Sequence, residues 1–291
     1  MRRPLLSRAG SVLGLAALCL AASTGATPFT KGIAYRVRMS SRLPMQMSGM
    51  GGDGGAGPLI LARATAVGNR ARFDLLTFQP APPGASVDDY LLVLDSSKTV
   101  LVSPGERTYS DATTLFSGGG LGILGAMSGG RRGGRSGGVA GGGGLPQIDI
   151  SGLVTDFELV GQDTVDGRQT HHYRIVAEMS VAVMGNQTPL RLMIDTWTAK
   201  LPYHIVNPFD GAATVAPDDP ASKLTAKLNE LRKKIEGTPV KSVVTTSLTL
   251  GGPAGAGMAL DFVQTTTITD IKEIDVEERL LEVPAGFTKK D

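Results

Sequence analysis

The histidines and acidic residues of the chain are the first candidates for chemistry. His171 and His172 are adjacent in a segment of alternating polarity, and His204 stands apart from them. Adjacent residues of a strand point to opposite faces, so His171 and His172 cannot readily bind one metal ion or act together. Asp195 and Glu178 lie on the polar faces of neighbouring predicted strands and could approach as a carboxylate pair. The sequence shows no cleft around them, so a solvated face is the simpler interpretation, and we predict no catalytic or metal-binding residue.

Two glycine-rich stretches match functional motifs by letter alone. Residues 120–125 satisfy G-x-G-x-x-G, and residues 134–138 satisfy G-x-S-x-G. Both motifs work only in a turn from a strand into a helix, whereas 15 of the 27 residues at 118–144 are glycine. Ordering such a segment costs about 1–2 kcal/mol per residue, and its few apolar side chains return only about 1.5–3 kcal/mol each. We therefore predict a mobile, Gly-rich insertion at 118–144 and no cofactor.

Most elements that could position a site are predicted to be strands. Polar and apolar residues alternate in His172–Met184, which is typical of a strand with one buried face. Turns at 165–168 and 184–187 join it to partner strands on either side. A meander of five strands is predicted in the first half, and a long hairpin, Val240–Leu250 with Met258–Ile271, in the second. Together these make about ten strands in an antiparallel sheet large enough to curl strongly.

One segment has the pattern of an α-helix, which we predict at residues 219–236. Asp219 can cap it, Pro220 suits its first position, and Gly237 with Pro239 stops it. Its apolar residues form one narrow stripe, made of Leu224, Leu228, Leu231 and Ile235. A single stripe predicts that one side of the helix docks on the apolar face of the sheet.

The N-terminus has the organisation of a secretory signal peptide. Three arginines precede an apolar run at 12–22, which is short for a membrane span, and small residues follow at 23–26. We predict cleavage after Ala26, and the domain then covers residues 27–291. Cys19 is the only cysteine, so the exported protein would have neither a disulfide nor a thiol nucleophile.

The charge of the exported chain argues against a nucleic-acid partner. Residues 1–26 hold three arginines and no acidic residue, so their removal leaves 26 basic and 27 acidic side chains. A chain near neutrality without a basic stripe lacks the electrostatic footprint of a nucleic-acid-binding protein. The predicted location is periplasmic or extracellular.

Short motifs in the second half carry a resemblance to a known family. They are the G-Q-D-T-V-D-G run at 161–167 with H-Y-R-I at 172–175, D-T-W-T at 195–198 with Leu201-Pro202, and V-P-A-G-F at 283–287. These motifs resemble exported proteins with a LolA-like fold, including the DUF4412 group. The resemblance implies an open half-barrel whose concave apolar face is covered by helix, and best-known members that carry lipoprotein acyl chains. It implies no catalytic residues.

The sequence therefore predicts a mainly β protein of the cell envelope, a single LolA-like domain with one covering helix and no enzymatic activity. Two functions stay open: binding of a lipid or lipoprotein acyl chain between sheet and helix, with peripheral contact with the outer membrane, or a structural or protein-interaction module with a filled core. The residues predicted to bind the apolar ligand are Met179, Val181, Val183, Leu192, Ile194, Leu224, Leu228, Leu231 and Phe262. Oligomeric state is not predicted.

Overall fold

The computed structural model describes residues 29–42, 56–79, 86, 88–95, 98–113, 147–183, 186–210, 221–250 and 258–290. The strands are β1 (Phe29–Arg42), β2 (Ala56–Val67), β3 (Arg70–Gln79), β4 (Tyr90–Asp95), β5 (Lys98–Ser103), β6 (Thr108–Asp111), β7 (Gln147–Val165), β8 (Arg168–Val183), β9 (Asn186–Ala199), β10 (Thr238–Leu250), β11 (Met258–Glu277) and β12 (Thr288–Lys289). The helix α1 spans Ala221–Arg232, and 3-10 turns lie at Pro208–Asp210 and Glu278–Leu281. Within these ranges, no helix is long and apolar enough to cross a membrane.

All twelve strands belong to one open sheet. Their order is β12-β6-β5-β4-β3-β2-β1-β11-β10-β9-β8-β7, so β12 and β7 are the two edges and do not pair with each other. Every pair is antiparallel except β12 with β6. The predicted mainly β fold, with an open antiparallel sheet, a meander over β1–β5 and one covering helix, is confirmed.

The hairpin turns follow from residues that tolerate positive φ. Asp166 and Gly167 have φ values of 50° and 72°, so a two-residue turn joins β7 to β8. Such turns match the right-handed twist of the strands they connect, and the Asp-Gly pair is a strong sequence signal for them. Gly68 has a φ of 58° and begins the corresponding turn between β2 and β3.

The side of the sheet that packs against α1, called the inner face below, carries the apolar residues of alternating strands. Around α1 it forms one buried cluster, composed of Ile175, Ala177, Met179, Leu190, Leu192, Ile194, Leu224, Leu228, Leu231, Leu248, Leu260 and Phe262. The three helix residues in it recur at spacings of four and three, which places them on one side of the helix. The predicted apolar stripe of the helix is thus confirmed, with Ile235 packed at its margin.

A second cluster covers the inner face of β1–β4. Here the chain after β9, residues 201–209, crosses the strands and packs Ile205, Val206 and Phe209 against them. The Tyr35 hydroxyl donates a hydrogen bond to the Val206 carbonyl, and the Phe73 and Phe209 rings meet edge to face at 5.8 Å. Two pieces of chain, this crossing segment and α1, therefore divide the inner face between them.

Several predicted boundaries differ from the structure. The helix ends at Arg232, not at residue 236, because the chain tightens into a turn in which the Lys234 and Ile235 amides bond to the Leu231 and Arg232 carbonyls at 3.0 Å. Strands β6 and β12 escaped prediction because they are short, which raises the strand number from about ten to twelve. The predicted signal peptide, the insertion at 118–144 and the helix-starting residues 219 and 220 lie outside the described residues.

We expect Tyr35→Phe to lower the free energy of unfolding by about 1–3 kcal/mol, because it leaves the Val206 carbonyl without its buried donor. The substitution keeps the ring, which meets Phe73 at 6.2 Å, so apolar packing is preserved. Urea unfolding of the two proteins measures the difference. An unchanged midpoint would mean that the crossing segment does not depend on this hydrogen bond.

Candidate functional site

The structure brings together seven of the nine residues predicted to bind an apolar ligand. Met179, Leu192, Ile194, Leu224, Leu228, Leu231 and Phe262 all belong to the cluster under α1, with 0–9% of each residue exposed. Strand pairing places Val181 opposite Thr188 and Val183 opposite Asn186. The side chains of Val181 and Val183 lie outside the described part of the chain.

A cavity lies elsewhere, at the end of β1 and β2. It has a volume of about 330 Å³ and is bounded by these two strands, β11 and the crossing segment. None of the nine predicted residues lines it; its walls are Lys31, Gly32, Ile33, Ala66, Gly68, Tyr203, His204 and Glu273. The residues of the sheet and the helix that meet beneath α1 are buried.

The opposite side of the sheet, the outer face, holds a polar cluster around Asp195. His172 Nε2 lies 2.6 Å and Arg174 Nε 2.9 Å from the same carboxylate oxygen, Asp195 Oδ1. The Asp195 side chain is only 8% exposed and that of His172 14% exposed. The prediction of a solvated face is therefore wrong for Asp195, and His172 is not a surface histidine, because each satisfies the other away from bulk water.

Asp195 and Glu178, which the sequence allowed to approach as a carboxylate pair, do not pair with each other. Strand register places Asp195 opposite Arg174 and Glu178 opposite Arg191, so each carboxylate faces an arginine and not the other carboxylate. The Glu178–Arg191 pair is 3.4 Å apart and more than half exposed on both sides. A dyad of two carboxylates for acid–base chemistry is therefore not formed here.

Trp197 lies beside this cluster, between the side chains of His172 and Lys241. The His172 ring stacks on it at 4.2 Å and 9°, and Lys241 Nζ lies 4.1 Å from its ring centroid. Its indole Nε1 donates a hydrogen bond of 3.0 Å to Asp163 Oδ2. Four neighbouring strands, β7 to β10, supply these groups. His172 on β8 and Lys241 on β10 both stand directly opposite Trp197.

Asp163 is held by two donors. Its carboxylate accepts hydrogen bonds from the Thr164 backbone amide and from the Trp197 indole, and these interactions, in that order, hold the pKa of Asp163 below its ordinary value. The arrangement stabilises a fixed set of charges and lacks a nucleophile next to a base. Among the described residues no three metal-ligating side chains come together.

The structure defines a class: an open antiparallel sheet with an apolar inner face under one helix and a charged cluster on its outer face. No protein-family model matches the chain, and the search of curated proteins gives no match. Among solved structures the chain is similar to LprF from Mycobacterium bovis, with 13% identity, 81% of this chain and 85% of that chain covered, and a TM-score of 0.27. It is also similar to the Mycobacterium tuberculosis lipoprotein LppX, with 11% identity, 80% of this chain and 84% of that chain covered, and a TM-score of 0.26. Likeness of this size assigns neither a family nor a ligand, so the DUF4412 and LolA-like resemblance stays a hypothesis.

We expect Asp195→Asn to lower the free energy of unfolding by about 1–3 kcal/mol, because two donors lose their charged acceptor in a site shielded from water. Glu178→Gln is the matched control: it removes an exposed pair from the same two strands and should cost at most about 1 kcal/mol. Urea unfolding compares the two. Equal effects would mean that the Asp195 pairs are no stronger than surface contacts.

The single tryptophan gives a direct readout of Asp163. The pKa of Asp163 is lower in the folded protein than in the unfolded chain, so the ionised carboxylate stabilises the fold at pH values above the unfolded-state pKa. This contribution is lost as the pH falls through the folded-state pKa. We expect Trp197 fluorescence to stay constant through the ordinary aspartate range near pH 3.8 and to change only below it. Asp163→Asn should lack that transition, and a transition at ordinary pH in the unaltered protein would contradict the assignment.

Proposed function

We propose that this protein is exported to the cell envelope, has no enzymatic activity, and binds an acyl chain on its inner face in the place of α1. The proposal rests on how little of α1 covers the apolar cluster of the sheet. The helix contributes only three buried leucines to this cluster, Leu224, Leu228 and Leu231. A cover this small can be exchanged for a ligand of similar apolar area.

The magnitudes of the two interactions are similar. At about 1.5–3 kcal/mol for each buried leucine, the three helix residues contribute roughly 5–9 kcal/mol. An acyl chain gains about 0.8 kcal/mol for each buried CH₂ group, so roughly 6–11 methylenes offset the loss of the helix contacts. The apolar sheet surface is covered in both states, and each further methylene of a longer chain contributes toward the cost of association.

For a ligand to take the place of α1, the helix has to move away from the sheet. The chain directly after the helix is attached to the sheet and stays in place. The Thr198 hydroxyl donates a 2.6 Å hydrogen bond to the Glu236 carbonyl, and Gly237 adopts a φ of 89°. A Cβ at Gly237 would lie 3.1 Å from the Ala199 carbonyl oxygen, which favours glycine at this position. Strand β10 then begins, with Thr238 opposite Ala199, so α1 could swing while its exit stays attached to the sheet.

The helix surface also supports contact with a membrane. Residues 221–236, which form the helix and the chain directly after it, contain five basic and two acidic residues: Lys223, Lys227, Arg232, Lys233, Lys234, Glu230 and Glu236. Basic side chains near an anionic lipid surface contribute about 1 kcal/mol each. A helix with leucines inward and lysines outward suits delivery of an acyl chain at the membrane surface.

One observation favours the alternative of a filled-core interaction module. The cluster under α1 is already buried, with no residue in it more than 9% exposed, and the cavity of about 330 Å³ lies away from it. In this alternative α1 is a permanent part of the core, and the protein acts through its surface.

Leu228→Ala distinguishes the two functions. If α1 is an exchangeable cover, the variant should bind and release a fluorescent fatty acid several-fold faster than the unaltered protein, and lipid should be found by native mass spectrometry of protein purified gently from the envelope. Leu91→Ala is the matched control, because Leu91 is fully buried on the inner face of β4, in the cluster that lacks α1. Both substitutions are expected to lower stability, the control by about 2–5 kcal/mol.

The opposite result is equally clear. No lipid in the unaltered protein, together with a stability loss of about 2–5 kcal/mol for Leu228→Ala and no change in fatty-acid binding, would contradict the carrier and favour the filled core. Faster exchange in both variants would show a general loosening of the fold, which also contradicts a specific cover.

A further inference from the structure

The two edges of the sheet are unequal. Strand β12 closes one side with two residues, whereas β7 ends the other side with 19 residues, and no described strand pairs with its outer edge. A long edge strand presents a row of backbone donors and acceptors to which another chain can add. Proteins usually block such edges, so the features of β7 indicate whether this edge is closed or usable.

Two backbone donors on this edge are held by aspartate side chains. The Phe157 amide donates to Asp156 Oδ1 at 2.8 Å, and the Thr164 amide donates to Asp163 Oδ1 at 2.7 Å. In an antiparallel pair alternate residues turn their backbone groups away from the partner strand, and these two amides bond to side chains instead of to β8. The strand register shifts by one residue between Leu159 and Gly161. For this reason the amides that point away from β8 belong to odd-numbered residues before the shift, such as Phe157, and to even-numbered residues after it, such as Thr164.

The same strand exposes apolar side chains. Six large hydrophobic residues in the described part of the chain are exposed, and three are on β7: Val154 at 65%, Leu159 at 57% and Val160 at 40%. Apolar residues concentrated on a free edge favour contact with another molecule. Between Val154 and Leu159 the pairing with β8 is regular, so this stretch is straight enough to accept a strand.

The charge of β7 identifies the kind of chain that fits. The strand contains four acidic residues, Asp149, Asp156, Glu158 and Asp163, and no lysine, arginine or histidine. Two copies pairing through β7 would bring like charges together, which destabilises cross-strand pairs. Asp156 and Glu158 share the outer face, opposite Val176 and Arg174, while Phe157 and Leu159 share the inner face.

We propose that the outer edge of β7 is a strand-addition site for an extended segment of a partner protein in which basic residues alternate with apolar ones. The basic residues pair with Asp156 and Glu158 on the outer face, and the apolar residues lie beside Phe157 and Leu159 on the inner face. When the partner strand adds, the hydrogen bond from the Phe157 amide to Asp156 breaks. The Asp156 carboxylate then pairs with a basic side chain of the partner, and the Phe157 amide donates to a backbone carbonyl of the partner. The aspartates occupy backbone donors of the edge, so an uncharged or acidic strand cannot pair with these donors. A basic strand can, because its cations bind the aspartates in place of the amides.

The probe is a labelled six-residue peptide of alternating lysine and valine, titrated with the full-length protein and followed by fluorescence anisotropy. We expect saturable binding that is lost when glutamate replaces lysine. Methylation of alternate peptide nitrogens, on the side that would face β7, should weaken binding at least tenfold while leaving side chains and charge unchanged. Leu159→Lys should weaken binding to a similar degree, through lost apolar contact and repulsion.

Leu76→Lys is the matched control, because Leu76 is also exposed, at 49%, but lies on β3 inside the sheet. It should bind the peptide like the unaltered protein, and circular dichroism should show both variants folded.

The proposal is overturned if the unaltered protein does not bind, if the methylated peptide binds equally well, or if both lysine variants behave alike. It is also overturned if sedimentation shows a dimer that Leu159→Lys dissociates, since the edge would then serve a second copy. Fatty-acid binding is measured separately and is not expected to change in Leu159→Lys, so this site and the acyl-chain site are tested independently.

Discussion

The structure depends on covering one apolar face with very little helix. The inner face of the sheet is lined with buried residues in two clusters, from the meander strands to β8. Leaving such a surface in water would cost about 25 cal/mol for each Å², so the chain must cover all of it. The crossing segment 201–209 covers one part and α1 covers the other, and the stretch from the end of β9 to the start of β10 supplies both.

The two covers are attached differently. The crossing segment is held by a buried tyrosine hydroxyl and an aromatic contact, between Tyr35 and Val206 and between Phe73 and Phe209. A buried hydrogen bond is costly to break because each partner loses its bond away from water. The stripe of α1 that faces the sheet is made of leucines, whose contact with the strands has no preferred direction. Apolar contacts can be replaced by any other apolar surface, which is why the helix, and not the crossing segment, is the part proposed to exchange with a ligand.

The sequence was sufficient to predict the elements and the inner face, because both follow from local periodicity and turn chemistry. The alternation in β8 and the Asp-Gly turn before it predicted that strand and its buried side. The polar cluster on the outer face was not predictable, because it depends on register between strands. With the turn centred on Gly185 and Asn186, as the sequence suggested, His172 would stand opposite Ala199; in the structure β8 ends at Val183, and His172 stands opposite Trp197. A displacement of one residue in the turn thus decides which side chains meet.

The outer face shows how that register is held. Asp195 would be costly to bury alone, and it is stable there only with Arg174 directly opposite and His172 two residues away on the same strand. A slip of β8 against β9 by one residue would turn its apolar residues from the inner to the outer face and leave the carboxylate without donors. The apolar inner face and the charged outer face therefore specify the same alignment. Register fixed in this way at β8 and β9 also orients β7, the edge strand of the described sheet, which keeps Asp156 and Glu158 on the outer face and Phe157 and Leu159 on the inner face.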